Sequence, residues 1–346
     1  MACPWISSIT SLTGCQAFTT RVSHVFVPIG GWHQRNCLGP VSRGCCSSLI
    51  CGRYMGGRGN LASCSAPSVG TQGCPTRHLG GHRRYWNFYG SSLDGHWALV
   101  HIGPFNSEVQ AVNPVTKVTI RLPRWPKPKF HCLKMFLFAE LRPKVSLGGF
   151  LAVGIVQYRC LHCQCLQFAR DGDEEWTPLE MPWESYNDVT FHDGKVYVVD
   201  KASNLLLCNL SGPPPLMTRI ITRGGTSKSY KHLVHSSTGE LLLVWKDDSW
   251  FGVARLDMST GAEWVKVKTV GQDAILFDRR HALCISTEAR PELRSSCIYF
   301  PDIVEETREV RLGVFALEGG RLEFQHLPHP PCPRSSAAYW LIPGFA

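Results

Sequence analysis

One short stretch of the sequence groups residues that could bind a metal ion. Cys160, His162, Cys163 and Cys165 stand within the run CLHCQC, and thiolates and imidazoles are the usual ligands of structural zinc. Such a site needs four ligands, normally from two pairs at tight knuckles, and no second CxxC or HxxxH pair lies near. The run also reads as part of a strand, where Cys160 and Cys163 would point to opposite faces. It therefore favours buried thiols, and we expect neither a metal nor a cofactor.

A second group of polar residues crowds a single turn. Its members, all acidic, are Asp171, Asp173, Glu174 and Glu175, and carboxylates are ligands that calcium prefers. Calcium-binding loops, however, spread their ligands over about a dozen residues with an internal glycine and a terminal glutamate. The acidic run here ends within five residues. It is typical of a solvated hairpin tip.

Two further sets of residues contain groups that enzymes use in hydrolysis. Glu184 and Asp188 could form a carboxylate pair, and His232 and His235 lie next to Ser236. Paired carboxylates must stand about 5 to 10 Å apart across one cleft, and a nucleophile needs an aligned base; spacing along the chain establishes neither. No nucleophile elbow, phosphate loop or dinucleotide fingerprint joins a strand to a helix. We therefore expect the protein not to be an enzyme.

The elements that must position these residues repeat along the chain. Each copy is an apolar strand, a polar or glycine-containing turn, and a second strand with a large hydrophobic side chain. The copies begin at Val109 (VQAVNPVTKVTIRLP), Leu166 (LQFARDGDEEWTPLEMP), Leu205 (LLLCNLSGPPPLMTRII), Phe251 (FGVARLDMSTGAEWVKV) and Gly313 (GVFALEGGRLEFQHLP). They recur about every 40 to 60 residues, close to the roughly 40 to 50 residues of a propeller blade. Each copy is predicted to be the outer hairpin of a four-stranded blade.

Turn residues between the copies complete the prediction of an all-β fold. Asp193 and Gly194 are typical of a two-residue hairpin turn, and no segment carries convincing helix start and stop signals. We predict that residues 85–346 form a β-propeller of about five to seven four-stranded blades. Because an open ring would leave an exposed edge, closure is expected near Trp97 and Trp340.

The aromatic residues fall into two predicted groups. Trp176 and Trp264 follow equivalent turns, DGDEEW and STGAEW, which indicates a structural role in packing one blade against the next. The predicted structural anchors are Trp176, Trp264, Phe324 and Trp340. Other aromatic residues lie near strand ends or loops, where they could contact a partner at the channel mouth. These candidate contact residues are Trp183, Tyr186, Trp245, Trp250 and Phe251.

Residues 1–84 differ from the rest in composition. They contain no Asp, Glu or Lys, yet hold eight arginines and eight of the 16 cysteines. Without hydrophobic periodicity, such a segment cannot bury enough apolar surface to offset its chain entropy. Three interpretations stay open: a disordered or poorly packed segment, an organelle transit peptide, and a mispredicted exon or shifted reading frame. The first suits a cytoplasmic or nuclear protein, and the second suits a mitochondrial or chloroplast protein.

The charge distribution limits the classes of partner. The net charge is +9, which would ordinarily suggest a polyanion. From Asp94 onward, however, 28 Lys and Arg stand against 27 Asp and Glu, so the folded part is nearly neutral. We expect no nucleic acid partner. No apolar run approaches the roughly 18 residues of a membrane span, so no membrane association is expected either.

Six stretches keep one order along the chain. They are NPVTKVTIRLP at Asn113, RDGDEEWTPL at Arg170, YNDVTFHDGKVYVVD at Tyr186, HLVHSSTGELLLVW at His232, VARLDMSTGAEWVKVKTVGQDAILF at Val253 and SCIYFPD at Ser296. In this order, over residues 85–343, they resemble the plant domain-of-unknown-function 295 group of F-box-associated proteins. The resemblance implies a kelch-like β-propeller.

The same resemblance implies a function in protein recognition. In that family the propeller binds a client protein, while an F-box docks onto Skp1 in a cullin ubiquitin ligase. No leucine- and proline-led helical module of the F-box kind occurs between Met1 and Tyr85. We therefore expect a client-binding propeller without a recognisable F-box, with an unknown client and with Skp1 and cullin as implied partners. The alternatives are an organellar binding protein of the same family and a propeller enzyme with a site in its central channel.

Overall fold

The computed structural model describes most of residues 86–342 and two earlier strands, β1 (Val25–Phe26) and β2 (Ser48–Gly52). Gaps in this description lie at 103–107, 125–129, 140–148, 159–163, 180–184, 211–215, 222–229 and 326–336, with single or paired positions elsewhere. Apart from β1 and β2, the predicted segment 1–84 therefore lies outside the described residues. So do Trp183, Glu184 and Asp193, and three of the four residues of the cysteine-rich run, Cys160, His162 and Cys163.

The described residues from Trp86 to Gln325 form five β-sheets, which are the blades of a propeller. Blade 1 contains β3 (Trp86–Ser91), β4 (Ala98–Ile102), β5 (Glu108–Val112) and β6 (Thr119–Leu122). Blade 2 contains β7 (Phe130–Ala139), β8 (Phe150–Tyr158), β9 (Gln164–Arg170) and β10 (Thr177–Leu179). Blade 3 contains β11 (Tyr186–His192), β12 (Lys195–Asp200), β13 (Leu205–Asn209) and β14 (Leu216–Ile221). Blade 4 contains β15 (Tyr230–His235), β16 (Leu241–Asp247), β17 (Trp250–Asp257) and β18 (Glu263–Val267).

Blade 5 has one more strand than the others. It contains β19 (Asp273–Phe277), β20 (Ala282–Ser286), β21 (Cys297–Ile303), β22 (Val310–Ala316) and β23 (Arg321–Gln325), in the order β20-β19-β21-β22-β23. Strands β19 and β21 are parallel, whereas the neighbouring strands of the other four blades are antiparallel. The last strand, β24 (Ala337–Leu341), pairs with β2 in a separate small sheet. The predicted all-β propeller is confirmed, with five blades.

The five repeated hairpins of the sequence are the outer strand pairs of the five blades. They are β5–β6, β9–β10, β13–β14, β17–β18 and β22–β23. The predicted hairpin of β11 and β12 is also confirmed, because Phe191 pairs with Val196 and His192 with Lys195, while Asp193 of the predicted turn lies outside the described residues. Gly194 has a φ of 73°, a conformation that a side chain would disfavour.

The hydrophobic core is divided into clusters that lie between neighbouring blades. One joins blades 1 and 2, a second joins blades 2 and 3, a third joins blades 3 and 4, and a fourth joins blades 4 and 5. A fifth packs Trp340 of β24 against blade 5. Because each sheet buries both faces, its strands carry apolar side chains on both sides.

The ring closes where the sequence predicted. The backbone amide of Ile342, just after Trp340, donates a hydrogen bond to the carbonyl of Gly95 at 3.0 Å. The rings of Phe88 in blade 1 and His281 in blade 5 lie 6.1 Å apart. Blade 5 and β24 therefore meet blade 1 near Trp97.

Candidate functional site

A chain of largely buried ionisable groups crosses the propeller axis. Lys134, Asp188 and His232 come from the inner strands of blades 2, 3 and 4. The Lys134 ammonium lies 3.2 Å from an Asp188 carboxylate oxygen and donates to the Asn187 carbonyl at 2.7 Å. The other Asp188 oxygen accepts from the amide of Leu233 at 2.7 Å. These contacts join three blades at the axis.

Hydrogen bonds assign the tautomer of His232. Its Nε2 lies 2.9 Å from the carbonyl oxygen of Asp278, and a carbonyl can only accept, so Nε2 carries the proton. Its Nδ1 can then accept from the Lys134 ammonium, 3.2 Å away. Burial lowers the pKa of His232, and the Lys134 charge lowers it further against the opposing effect of Asp188. The imidazole is therefore held neutral.

The two axial carboxylates remain ionised. Burial alone would raise the pKa of Asp188, but the Lys134 charge and the hydrogen bonds, including the one from the Leu233 amide, outweigh it and lower the pKa. Burial of Asp278 is likewise outweighed by His281 and by backbone N–H donors, so its pKa is lowered. Asp278 accepts from the amides of Arg280, His281 and Trp340 at 2.7, 3.0 and 2.8 Å. It thereby fixes both the turn after β19 and the closing strand.

The inner strands define two ends of the molecule. Strands β7, β11, β15 and β20 run in the same direction, and we call the end where they begin the upper face and the opposite end the lower face. An axial cavity of about 300 Å³ opens at the upper face, above the Lys134 and Asp188 pair. Its charged lining residues are Lys134, Lys201, Lys231, Arg279 and Arg280. Its other lining residues include Gln164, Tyr186, Asn187 and Tyr230.

Two exposed aromatic side chains of blade 4 lie at the upper face, and one of them, Tyr230, lines this cavity. Tyr230 is 49% exposed and accepts a hydrogen bond from Arg279 at 3.0 Å, while the guanidinium lies 5.5 Å from the ring centroid. Trp250 is 61% exposed and makes an edge contact with Phe315 of blade 5, with centroids 5.9 Å apart. Tyr230 pairs with Lys246, and Trp250 pairs with Asp247, so both aromatic residues lie at the upper end of one sheet.

A larger cavity of about 1050 Å³ lies at the lower face between blades 2 and 3. Phe138, Leu151 and Phe191 give it an apolar wall, and Arg170 stands at its edge. The Arg170 guanidinium lies 4.9 Å from the Phe168 ring and donates to the Leu210 carbonyl at 2.7 Å. The lower cavity thus differs in chemistry from the basic one.

Of the predicted contact residues, only Trp250 has a largely exposed side chain among the four that the structure describes. Tyr186 and Phe251 are buried, and Trp245 is half-buried. The Trp245 ring lies against Gly252 on the paired strand, where a Cβ would collide with it. Tyr186 lines the upper cavity, while Phe251 packs against Phe277 with ring centroids 5.2 Å apart.

The predicted anchors make different contacts. The Trp176 indole donates to the Pro123 carbonyl of blade 1 at 2.9 Å, and the Trp264 indole donates to the Ser203 carbonyl of blade 3 at 3.1 Å. The Trp340 indole donates to the Phe277 carbonyl at 3.1 Å. Phe324 is 42% exposed and lies under the Arg311 guanidinium, 3.8 Å from its centroid.

Among the residues that sequence spacing grouped for hydrolysis, those that the structure describes lie at different sites, and Glu184 lies outside the described residues. Asp188 and His232 meet at the axis, with 3.4 Å between the carboxylate and Nδ1. His235 instead lies 3.2 Å from the Thr190 hydroxyl, and Ser236 accepts from the Glu240 amide in its turn. Lys134 was not predicted, although it shares one signal with Asp188 and His232. Each is an ionisable residue within an inner strand.

The residues considered for cation binding are placed as follows. The acidic turn is exposed, and Asp173 accepts from the Arg170 amide at 2.7 Å. Cys165 lies half-buried in β9. Within the described ranges, no group of three or more His, Cys, Asp or Glu side chains is arranged to hold a metal ion. The same ranges contain no helix long and apolar enough to cross a membrane.

Comparison with known proteins identifies the family. A family model described as KIB1-4 beta-propeller matches residues 72–316, which is more than half of the chain. The chain belongs to the KIB1-4 β-propeller family. The finer assignment to the domain-of-unknown-function 295 group stays a prediction.

Individual relatives are distant. A protein of Arabidopsis thaliana that carries the name "Putative F-box protein" is 27% identical over 149 residues, covering 40% of this chain. The match spans 41% of that relative's length. Among solved structures, prolyl oligopeptidase B from Galerina marginata is 10% identical, with a TM-score of 0.39, over 71% of this chain and 34% of that one. The calcium-binding protein regucalcin from Agrobacterium tumefaciens is 12% identical, with a TM-score of 0.35, over 73% and 76%. Likenesses this low say nothing about activity or ligands.

Proposed function

We propose that the upper face of the propeller recognises a protein partner. The observation that carries this proposal is the pair of exposed aromatic residues, Tyr230 and Trp250, beside an arginine-lined cavity. Trp, Tyr and Arg are the residues most enriched where protein interfaces concentrate their binding energy. Propeller blades hold such residues on rigid strands, so little conformational entropy is lost on binding.

The partner is proposed to be a client protein, as for the client-binding part of an F-box receptor. Membership of the family and the name of the Arabidopsis relative support this finer role. Skp1 and a cullin would then be reached through an F-box, a module not recognisable in residues 1–85. Recovery of Skp1 with the full chain from plant cells is the expected result for a ligase receptor. Recovery of a client without Skp1 would favour a binding protein that acts outside the ligase.

We propose binding rather than catalysis. The axial groups that resemble catalytic machinery are engaged with one another, as Asp188 is with Lys134 and with the Leu233 amide. His232 is fully buried, and its Nε2 proton is directed at the Asp278 carbonyl. These contacts favour a structural role, in which the axial groups support the upper face of the propeller.

The test uses two variants of one strand. Trp250→Ser removes the exposed indole at the upper end of β17, and Met258→Ser removes an exposed side chain, 60% accessible, just beyond its lower end. Tagged wild-type and variant chains are purified from cells, and the bound proteins are quantified by mass spectrometry. We expect a set of proteins that wild type and Met258→Ser retain and Trp250→Ser loses. Equal recovery by both variants, at matched melting temperatures, would contradict an upper-face interface.

A further inference from the structure

The upper cavity concentrates positive charge from four blades. Its cationic side chains are Lys134 of blade 2, Lys201 of blade 3, Lys231 of blade 4, and Arg279 and Arg280 of blade 5. No Asp or Glu is among the described residues that line it. This local excess contrasts with the nearly neutral balance of the sequence from Asp94 onward. Sequence composition therefore does not reveal it.

The neighbouring carboxylates lie beneath the cavity or beside it, and none of them is among its described lining residues. Asp188 and Asp278 belong to the axial chain described above. Asp200 is buried and accepts from the amide and side chain of Asn204 at 2.8 and 2.6 Å. Asp247 is exposed, and its negative charge acts to raise the pKa of Lys231. The cavity is thus lined by cationic side chains, and the acidic side chains lie beneath it or beside it.

Several of these cations are held in place. Lys134 is fixed by the Asn187 carbonyl and by Asp188. Arg279 is fixed by the Tyr230 hydroxyl and ring, which leaves most of its five N–H donors for other acceptors. Lys231 is only 2% exposed, and its ammonium donates to the Lys201 carbonyl. Burial lowers the pKa of Lys231 despite Asp200 and Asp247, so a bound anion would stabilise its charged form.

We propose that this cavity binds an oxyanion, a phosphoryl or carboxylate group carried on a peptide segment of the client. The inference rests on the proposed function, because it gives the chemistry of the group that the upper face recognises. Charge-assisted hydrogen bonds from Lys and Arg are the strong contacts for such groups. A volume of about 300 Å³ is at the small end for ligand sites and suits one anionic side chain better than a folded element.

The test measures binding directly on the purified full chain. The probes are three fluorescein-labelled Gly-Ser peptides, which carry two phosphoserines, two glutamates or two serines at the same positions. Binding is followed by fluorescence anisotropy, with inorganic phosphate as competitor. We expect the phosphoserine peptide to bind and the serine peptide not to. Binding of the glutamate peptide as well would show that a carboxylate suffices, and its absence would show that the site requires phosphate.

Matched charge reversals locate the site. Lys201→Glu with Arg279→Glu places two negative charges on exposed positions at the upper cavity, and Lys195→Glu with Arg321→Glu makes the same change at the lower face. We expect the upper pair to weaken peptide binding by at least about ten-fold and to reduce its salt dependence. The lower pair should change the affinity by less than about two-fold.

Three results would overturn the inference. The first is binding of neither anionic peptide, and the second is equal weakening of peptide binding by the upper and lower charge-reversal variants. The third, measured with a fluorescein-labelled single-stranded oligonucleotide as a further probe, is binding of that oligonucleotide alone. These results are separable from failure of the proposed function. A client lost by Trp250→Ser but retained by the upper charge reversal would leave the upper face as an interface and remove only the oxyanion site.

Discussion

At the scale of single residues, the axial chain joins two charged side chains and one neutral imidazole into a junction between blades. Lys134, Asp188 and His232 would each be costly to bury alone, because a desolvated charge needs a partner. Lys134 donates to both Asp188 and His232 Nδ1, and Asp188 also accepts from the Leu233 amide. Removing one of these three side chains should therefore lower the free energy of unfolding by more than its contact contributes, because its partner is left buried and uncompensated.

A double-mutant cycle tests this coupling. Asp188→Asn removes the charge but keeps the shape, which leaves the Lys134 ammonium buried without its counter-ion. We expect a loss of about 3 kcal/mol in the free energy of unfolding. Lys134→Met should also destabilise, and the double variant should lose clearly less than the sum of the two single losses. Chemical denaturation of the four proteins gives these values, and strictly additive losses would argue against the coupling.

At the scale of elements, two tryptophans connect neighbouring blades in the same way. Trp176 and Trp264 both follow the turn of an outer hairpin, and both indoles donate to a backbone carbonyl of the preceding blade. The Trp264 ring also packs on the cluster between blades 3 and 4, which includes Leu205 and Leu241. The contact combines apolar burial with one directed hydrogen bond.

Two substitutions separate these contributions. Trp264→Phe keeps a ring but removes the N–H donor, and we expect a loss of about 1 kcal/mol. Trp264→Ala also removes the packing, and we expect about 3 kcal/mol with a clearly lower melting temperature. Thermal and chemical denaturation of the purified protein measure both effects. An unchanged melting temperature for Trp264→Ala would show that the ring does not join the blades.

At the scale of the whole molecule, the axial contacts couple blades 2 to 5 to the ionisation of their buried groups. A histidine whose pKa is lower in the folded chain than in the unfolded chain binds a proton more readily after unfolding. The pKa of His232 is lowered from an ordinary value of 6.5. Stability should therefore fall as the pH drops through that value, and the lowered pKa values of Asp188 and Asp278 extend the loss to more acidic pH.

The matched variant for this effect is His232→Gln. A glutamine amide can donate to the Asp278 carbonyl and accept from Lys134, but it does not titrate. We expect the free energy of unfolding to decrease for wild type between about pH 8 and about pH 5 and to decrease less steeply for the variant. Urea denaturation across this range measures both slopes. Identical slopes would place the acid sensitivity elsewhere, for example in other histidines.

Sequence reasoning succeeded where physical signals are local. The outer hairpins carry alternating apolar residues and turn residues within about 15 positions, so all five copies were predicted as strand pairs. Trp250 is exposed, as expected from its position near a strand end, and its role as a contact residue stays a prediction. The fifth strand of blade 5 was not predicted. The parallel pairing of β19 with β21 joins strands that β20 separates in sequence, so no local turn signal indicates it.

The candidate site could not be predicted in the same way. Lys134, His232 and Arg279 lie far apart in sequence, and only ring closure brings their blades to one axis. The blades, their turns and the residues available to join them follow from the amino-acid sequence, because strand periodicity and turn chemistry act over a few residues. Which charges meet, and where they are exposed, follows only from the folded ring, because electrostatic contact depends on distance in space and on burial.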